Sequence, residues 1–272
     1  MRNSRLSFIF LSLSILLIWL FISNYFNNAP PNRTGQPMTG MPSSTVSRSN
    51  EVHYALQTAR NTWPEMNQGD RAPVSEPEFL LATNYYVVLD GSGSMADSGC
   101  SGGVSKMRAA FQALIDFAQS VPEDANFGLS VFTDGRSREL IPLSRGNRDR
   151  IAGLQRQIEP SGSTPLMSSI AEAYERLTQQ GRRQLGYGEY HLVVITDGQA
   201  TSGQEPDKLI GKILSESPVM LHTIGFCIGP HHALNRSGQS YYLAADNPQA
   251  LRRGLDDVLA EAPDFDVIQF SR

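Results

Sequence analysis

The side chains of this sequence best suited to chemistry carry oxygen and stand where apolar runs end or helix-like segments begin. They are Asp90, Ser92 and Ser94 in VVLDGSGSM, Thr164 in SGSTPL and Asp197 in VVITDG. A hard divalent cation prefers oxygen ligands, and Mg²⁺ arranges about six of them octahedrally. The intervening glycines permit a tight turn on which side chains two residues apart converge. The pattern predicts a divalent-cation site, for Mg²⁺ or alternatively Mn²⁺ or Ca²⁺.

Only two of these five candidate ligands are carboxylates, so a bound 2+ ion would remain electrophilic. Hydroxyl groups and water would fill most other positions. One coordination position is then open to an anionic oxygen from outside the chain. This composition favours a site that captures an acidic group of a partner.

Strand-like and helix-like segments alternate after residue 80 and must position these ligands. Apolar runs predict strands at 85–89, 127–132, 137–143, 192–196, 219–226 and 241–244, and amphipathic periodicity predicts helices at 106–119, 148–157, 166–179, 205–215 and 248–259. Such an alternation predicts a doubly wound α/β domain with a mainly parallel central sheet and helices on both faces. Pro142 restricts its strand to an edge. Ligands bind at the carboxyl ends of such strands, where Asp90 and Asp197 stand.

The order Asp90-x-Ser92-x-Ser94, then Thr164, then Asp197 in Thr-Asp-Gly resembles a von Willebrand factor type A domain with a metal-ion-dependent adhesion site. The resemblance covers residues 80–262 and implies a sheet with one antiparallel edge strand. It also implies that Asp90, Ser92, Ser94 and Thr164 meet the ion directly or through water, and that Asp197 acts through water. The insertion ADSGCSGG after Met95 departs from the usual pattern.

Two functions are compatible with a divalent-cation site of this kind. A binding module is favoured, and a metal-assisted hydrolase acting on phosphate esters is the alternative. No motif offers a nucleophile or general base, because His191 and His222 fall within strand patterns. No phosphate-binding loop of the G-x-x-x-x-G-K type occurs. The adjacent His231 and His232 are expected to be exposed in a loop. The sequence therefore predicts a protein that is not an enzyme.

The net charge and the N-terminal segment limit the kinds of partner and the location that we expect. The 272 residues carry a formal net charge of −4, which disfavours nucleic acid. The uncharged apolar run after Arg2 and Arg5 has the length of a membrane-spanning helix, and a retained anchor is preferred over a cleaved signal. The two arginines favour a cytoplasmic N-terminus, which places the rest outside the cytoplasm, in a periplasmic or extracellular position.

The predicted organisation has five parts. They are a cytoplasmic N-terminus at 1–5, a transmembrane signal anchor at 6–26, a flexible linker with a short helix at 27–79, the α/β domain at 80–262 and a C-terminal tail at 263–272. A domain tethered in this way works near the membrane, so the expected partner is another envelope or surface protein offering an acidic side chain or carboxylate.

The two cysteines, Cys100 and Cys227, both follow predicted strands and so belong to loops on the metal face. A disulfide is permitted if the domain lies outside the cytoplasm. Two free thiols remain the alternative. A bridge would hold the inserted loop beside the ion.

Overall fold

The computed structural model describes residues 62–66, 77–236 and 238–260 of the chain. The strands are β1 Thr83–Asp90, β2 Asn126–Thr133, β3 Arg136–Ser144, β4 Glu189–Thr196, β5 Met220–Phe226 and β6 Tyr241–Ala245. The helices are α1 Pro77–Leu80, α2 Lys106–Ser120, α3 Ile151–Leu154, α4 Leu166–Arg183, α5 Asp207–Glu216 and α6 Pro248–Ala260, with 3₁₀ turns at Gly93–Ala96, Arg148–Arg150 and Gln155–Gln157.

Within the described ranges, six strands form one sheet in the order β3-β2-β1-β4-β5-β6. Only β3 runs antiparallel to its neighbour, and the other neighbouring pairs are parallel. In the centre, Val87 of β1 lies between Leu129 of β2 and Val193 of β4. The edge position of β3 accommodates Pro142, which lacks a backbone N–H. The predicted mainly parallel sheet with an antiparallel edge strand is confirmed.

Both faces of the sheet are covered, and this explains why β1 and β4 consist almost entirely of buried residues. One apolar core joins alternate strand residues to α2 and α6, with Phe111 and Leu255 among its members. The other joins the opposite strand faces to α4 and α5 through residues such as Ile170 and Ile210. The two cores hold the strand ends rigidly, so the loops beyond them start from fixed points.

The predicted helix at 148–157 is wrong as a single element. It is divided into two 3₁₀ turns and the four-residue α3. Only Ile151 of this stretch is fully buried, and Gly153 weakens the helix interior. One buried side chain gives too little apolar contact to hold a longer helix on the domain.

The segment 62–66, which the sequence assigned to the flexible linker, packs against α4. Trp63 donates a hydrogen bond from Nε1 to the hydroxyl of Tyr174 at 3.0 Å. Its ring meets that of Tyr190 edge-on, with centroids 4.7 Å apart. A Cβ on Gly181 would come within 2.6 Å of the indole, so glycine is required for this close approach.

The predicted anchor at 6–26, most of the linker and the tail at 263–272 lie outside the described residues. Among the residues that the structure describes, no helix combines the length and apolar character needed to cross a bilayer.

Candidate metal centre

Three loops meet at the carboxyl ends of β1 and β4. Gly91, directly after β1, donates its N–H to Phe132 O at 2.8 Å and accepts from Ser161 N at 2.9 Å. A Cβ at Gly91 would lie 2.6 Å from Phe132 O, so no larger residue fits there. Gly93 N then donates to Gly162 O at 3.1 Å. These backbone contacts tie the Asp90–Ser94 loop to the loop that carries Thr164.

A continuous set of hydrogen bonds joins four of the five predicted ligands. Asp90 Oδ1 accepts from Ser92 N at 2.8 Å, and the hydroxyls of Ser92 and Ser94 lie 3.2 Å apart. Ser94 Oγ donates to Asp197 Oδ1 at 2.7 Å. The other oxygen of Asp90 accepts from Thr196 Oγ1 at 2.6 Å. The loops after β1 and β4 therefore place Asp90, Ser92, Ser94 and Asp197 in one polar cluster.

Thr164 is positioned through its backbone and by the neighbouring loop. Its N–H donates to Thr201 Oγ1 at 2.9 Å, and its carbonyl accepts from Thr201 N at 3.0 Å. No hydrogen bond joins Thr164 to the other four candidates, and within the described ranges its hydroxyl has no hydrogen-bond partner. The lone pairs of that hydroxyl are therefore available to a ligand.

Asp90 is fully buried beneath this cluster. Burial raises the pKa of its carboxyl group, because the charged form loses its solvation. Hydrogen bonds from Ser92 and Thr196 oppose this effect, whereas the nearby charge of Asp197 adds to it. A buried carboxylate that lacks a positive partner is costly, and a bound cation would supply the missing charge.

Lys106, which was not among the predicted site residues, completes the cluster. It is the first residue of α2, and its Nζ lies 2.8 Å from Asp197 Oδ2 and 3.4 Å from Ser94 O. The side chain of this lysine is only 12% exposed. Its position at the start of the helix after the DGSGS loop was the available signal. The ammonium group neutralises Asp197 and occupies one of its two oxygens.

Replacement of Lys106 by methionine is expected to tighten Mg²⁺ binding about tenfold, because it removes a positive charge that pairs with the candidate ligand Asp197. Calorimetric titration of Mg²⁺ into the full chain measures the change. Lys208→Met, at an exposed position on α5, is the matched control and should leave the affinity unchanged. Weaker binding by Lys106→Met would instead assign the lysine to holding Asp197 in place.

The donor set fits a hard cation. It consists of two carboxylates and three hydroxyls, all oxygen, from loops fixed at strand ends. The described part of the chain contains no group of three or more His, Cys, Asp or Glu side chains that could hold a metal. The five-residue ligand set and the identity of the ion stay predictions.

The disulfide prediction is confirmed, since Cys100 and Cys227 are bonded to each other with their Cα atoms 6.0 Å apart. Cys227 directly follows β5 and donates its N–H to Ala245 O at 2.8 Å. The bridge anchors the inserted loop to the sheet. That loop also accepts a hydrogen bond at Asp97 O from Lys106 N, at 2.8 Å. The disulfide thus helps to fix the start of α2 beside the candidate ligands.

The structure corrects the expectation for one of the adjacent histidines. His231 is exposed, whereas His232 is only 7% exposed. The Nε2 atom of His232 lies 2.9 Å from Gly198 O, and its Nδ1 accepts from Leu234 N at 3.2 Å. The Nε2 atom therefore ties the loop after Asp197 to the loop after β5, and Nδ1 accepts a hydrogen bond within that second loop.

Comparison with known proteins places the chain in a family. The model of the von Willebrand factor type A domain matches residues 84–253. YwmC of Bacillus subtilis (strain 168), an uncharacterized protein, is 30% identical over 168 residues, which cover 57% of this chain and 71% of YwmC.

Solved structures share the fold at low sequence identity. An aerotolerance-related membrane protein from Bacteroides fragilis has a TM-score of 0.53 at 17% identity, over 66% of this chain and all of that one. Proximal thread matrix protein 1 of the mussel byssus has a TM-score of 0.51 at 17% identity, over 66% of this chain and 46% of that protein. From the family match over most of the described residues, the chain belongs to the von Willebrand factor type A domain family.

Proposed function

We propose that this protein is a metal-dependent binding module that captures a carboxylate of a partner protein through a divalent cation. Domains of this family generally serve as interaction modules rather than enzymes. Asp90, Ser92, Ser94, Thr164 and Asp197 would hold the ion, with Mg²⁺ as the first candidate. When bound, the ion supplies an electrophilic position for an anionic oxygen.

The observation that carries this proposal is the connected cluster at the strand ends. Ser92 and Ser94 bridge the carboxylates of Asp90 and Asp197, which belong to different loops. The unpartnered hydroxyl of Thr164 stands on a third loop joined to the first. Among the described residues, no positive side chain contacts the fully buried Asp90, since Lys106 contacts Asp197. A cation at this point would satisfy both features.

A membrane tether and a location outside the cytoplasm form part of the proposal. The apolar run at 6–26 has the length of a membrane anchor. The Cys100–Cys227 disulfide supports an oxidising compartment, because disulfides persist there and are rare in the cytosol. The partner would then be an envelope or surface protein with an exposed acidic group.

No observation favours the hydrolase alternative. In the described residues, His191 and His222 occupy the third positions of β4 and β5, toward the strand ends opposite Asp197. His232 uses both of its ring nitrogens in loop contacts. Neither arrangement presents a free general base to a substrate at the cluster.

Asp90→Asn tests the proposal, because it keeps the shape of the side chain and removes its charge. We expect the affinity for Mg²⁺ to fall about 100-fold or more, since ligand charge controls the affinity of such sites. The midpoint of urea unfolding should be unchanged or higher, because a costly buried charge is lost. Asp124→Asn, at an exposed position, is the control and should alter neither quantity.

Capture of envelope proteins by the immobilised full chain extends the test to the partner. Binding should occur in Mg²⁺, disappear in EDTA and be absent with Asp90→Asn at equal stability. Equal capture by wild-type and variant chains would contradict an ion-mediated interface. Loss of folding in the variant would show that Asp90 has a structural role instead.

A further inference from the structure

A groove of about 570 Å³ lies between the start of α2 and the segment after α3. Its apolar floor includes Met107 and Ile158, which are buried. Its polar rim includes Arg108, Gln155 and Arg156. Gln155 bridges the two walls, donating from Nε2 to Arg108 O at 3.4 Å. The groove thus presents two guanidinium groups and one amide group on its rim.

Both guanidinium groups are available to a ligand. Arg108 and Arg156 are exposed, and neither side chain has an ion pair or hydrogen bond within the described part of the chain. Glu159 is close in sequence to Arg156 but forms no ion pair with either arginine. Two unpaired guanidinium groups beside one groove give it a local positive charge in a chain whose net charge is −4.

The groove adjoins the candidate metal centre at both of its walls. Ser105 lines the groove and precedes Lys106, whose ammonium contacts Asp197 at 2.8 Å. Pro160 lines the opposite wall and precedes Ser161, which donates to Gly91 O at 2.9 Å. A peptide that reaches the cluster of candidate ligands can therefore continue into the groove.

We infer that this groove is a second binding point for the partner, which presents an acidic peptide segment with at least two carboxylates. This inference rests on the proposed function. One carboxylate completes the coordination at the metal centre, and another pairs with Arg108 and Arg156, whose planar groups suit carboxylate recognition. Two linked contacts bind more tightly than either alone.

The test uses fluorescein-labelled hexaglutamate as the probe and the full chain saturated with Mg²⁺. We expect Arg108→Gln/Arg156→Gln to weaken binding of the probe about tenfold or more, because it removes both guanidinium groups. Mg²⁺ affinity, measured by calorimetry, should stay near the wild-type value. Arg183→Gln/Arg253→Gln removes the same charge at exposed positions that do not line the groove, and should leave probe binding nearly unchanged.

The outcomes separate failure of the groove from failure of the metal site. If the two double variants weaken hexaglutamate binding equally, the net charge of the chain explains the loss, and the inference is overturned. Normal Mg²⁺ binding without binding of hexaglutamate by the wild-type chain would also overturn it, while leaving the metal site in place. Absence of Mg²⁺ binding would overturn the proposed function and the inference together. Equal binding of labelled oligothymidylate would show unspecific anion capture, which also contradicts it.

Discussion

Replacement of Cys100 and Cys227 by serine is expected to lower the free energy of unfolding by about 5 kcal/mol in the chain-entropy description. The bridge spans 127 residues, so its loss releases a large closed loop in the unfolded chain. Total stabilities of domains are typically about 5–15 kcal/mol, so this loss is severe. Urea unfolding of the oxidised wild-type chain and the double variant measures the difference.

Reductant supplies the control for this prediction. Dithiothreitol should lower the stability of the wild-type chain toward that of the double variant and leave the double variant unchanged. The same treatment should weaken Mg²⁺ binding, because the loop held by the disulfide contacts the start of α2 through Asp97 and Lys106. Unchanged stability of the fully reduced wild-type chain would contradict the structural role of the bridge.

Acidification from pH 7 to pH 5 is expected to destabilise the fold through a buried histidine pair. The Nδ1 atom of His191 lies 3.1 Å from Nε2 of His222. The rings of the pair stack in a row between Tyr85 and Tyr241. Burial lowers the pKa of His191 to about 3, with a further contribution from His222, and lowers the pKa of His222 to about 4. Both rings are therefore neutral in the folded protein at pH 5.

The sign of the effect follows from proton binding in the two states. In the unfolded chain both histidines titrate near pH 6.5, so below that pH the unfolded state binds more protons. Above about pH 6.5 both histidines are neutral in both states, and their ionisation does not affect the free energy of unfolding. As the pH falls toward 4, protonation of the two histidines in the unfolded chain lowers the free energy of unfolding progressively. At pH 5 the loss is about 2 kcal/mol for each histidine, or about 4 kcal/mol for the pair.

His191→Phe/His222→Phe isolates this contribution, because phenylalanine keeps a flat ring in the stack and does not titrate. Urea unfolding at pH 7, 6 and 5 should show a pH dependence about 4 kcal/mol smaller in the variant. Glu189, 3.6 Å from His191, and Asp90 have raised pKa values and favour folding in acid, so the comparison with the variant is required. Equal pH dependence would contradict the assignment.

The fold was predictable because its strands and helices have strong periodic patterns. The apolar run ending at Leu89 predicted a buried strand, and the spacing of Met107, Phe111 and Leu114 predicted an amphipathic helix. The prediction of one helix at 148–157 was wrong because a single buried residue, Ile151, determines how this segment packs. Contacts that form only in the folded chain decide such segments.

The sequence predicted that the candidate ligands converge at one edge of the sheet, and four of the five, Asp90, Ser92, Ser94 and Asp197, lie in one hydrogen-bonded cluster. The glycines around Ser92 and the order of the three motifs indicated that the oxygen ligands converge. The sequence did not reveal that Lys106 lies against Asp197, or that His232 is buried against Gly198. Both contacts depend on how the inserted loop and the loop after β5 fold back over the strand ends, which no local pattern encodes.

The most direct measurement is isothermal titration of Mg²⁺ into the metal-free 272-residue chain in mild detergent, with the Asp90→Asn variant as the control. A divalent-cation site at the ends of β1 and β4 predicts saturable binding at one site per chain that is lost in the variant. Absence of saturable binding by the folded wild-type chain, with Mn²⁺ as well as Mg²⁺, would contradict the proposed metal-dependent function.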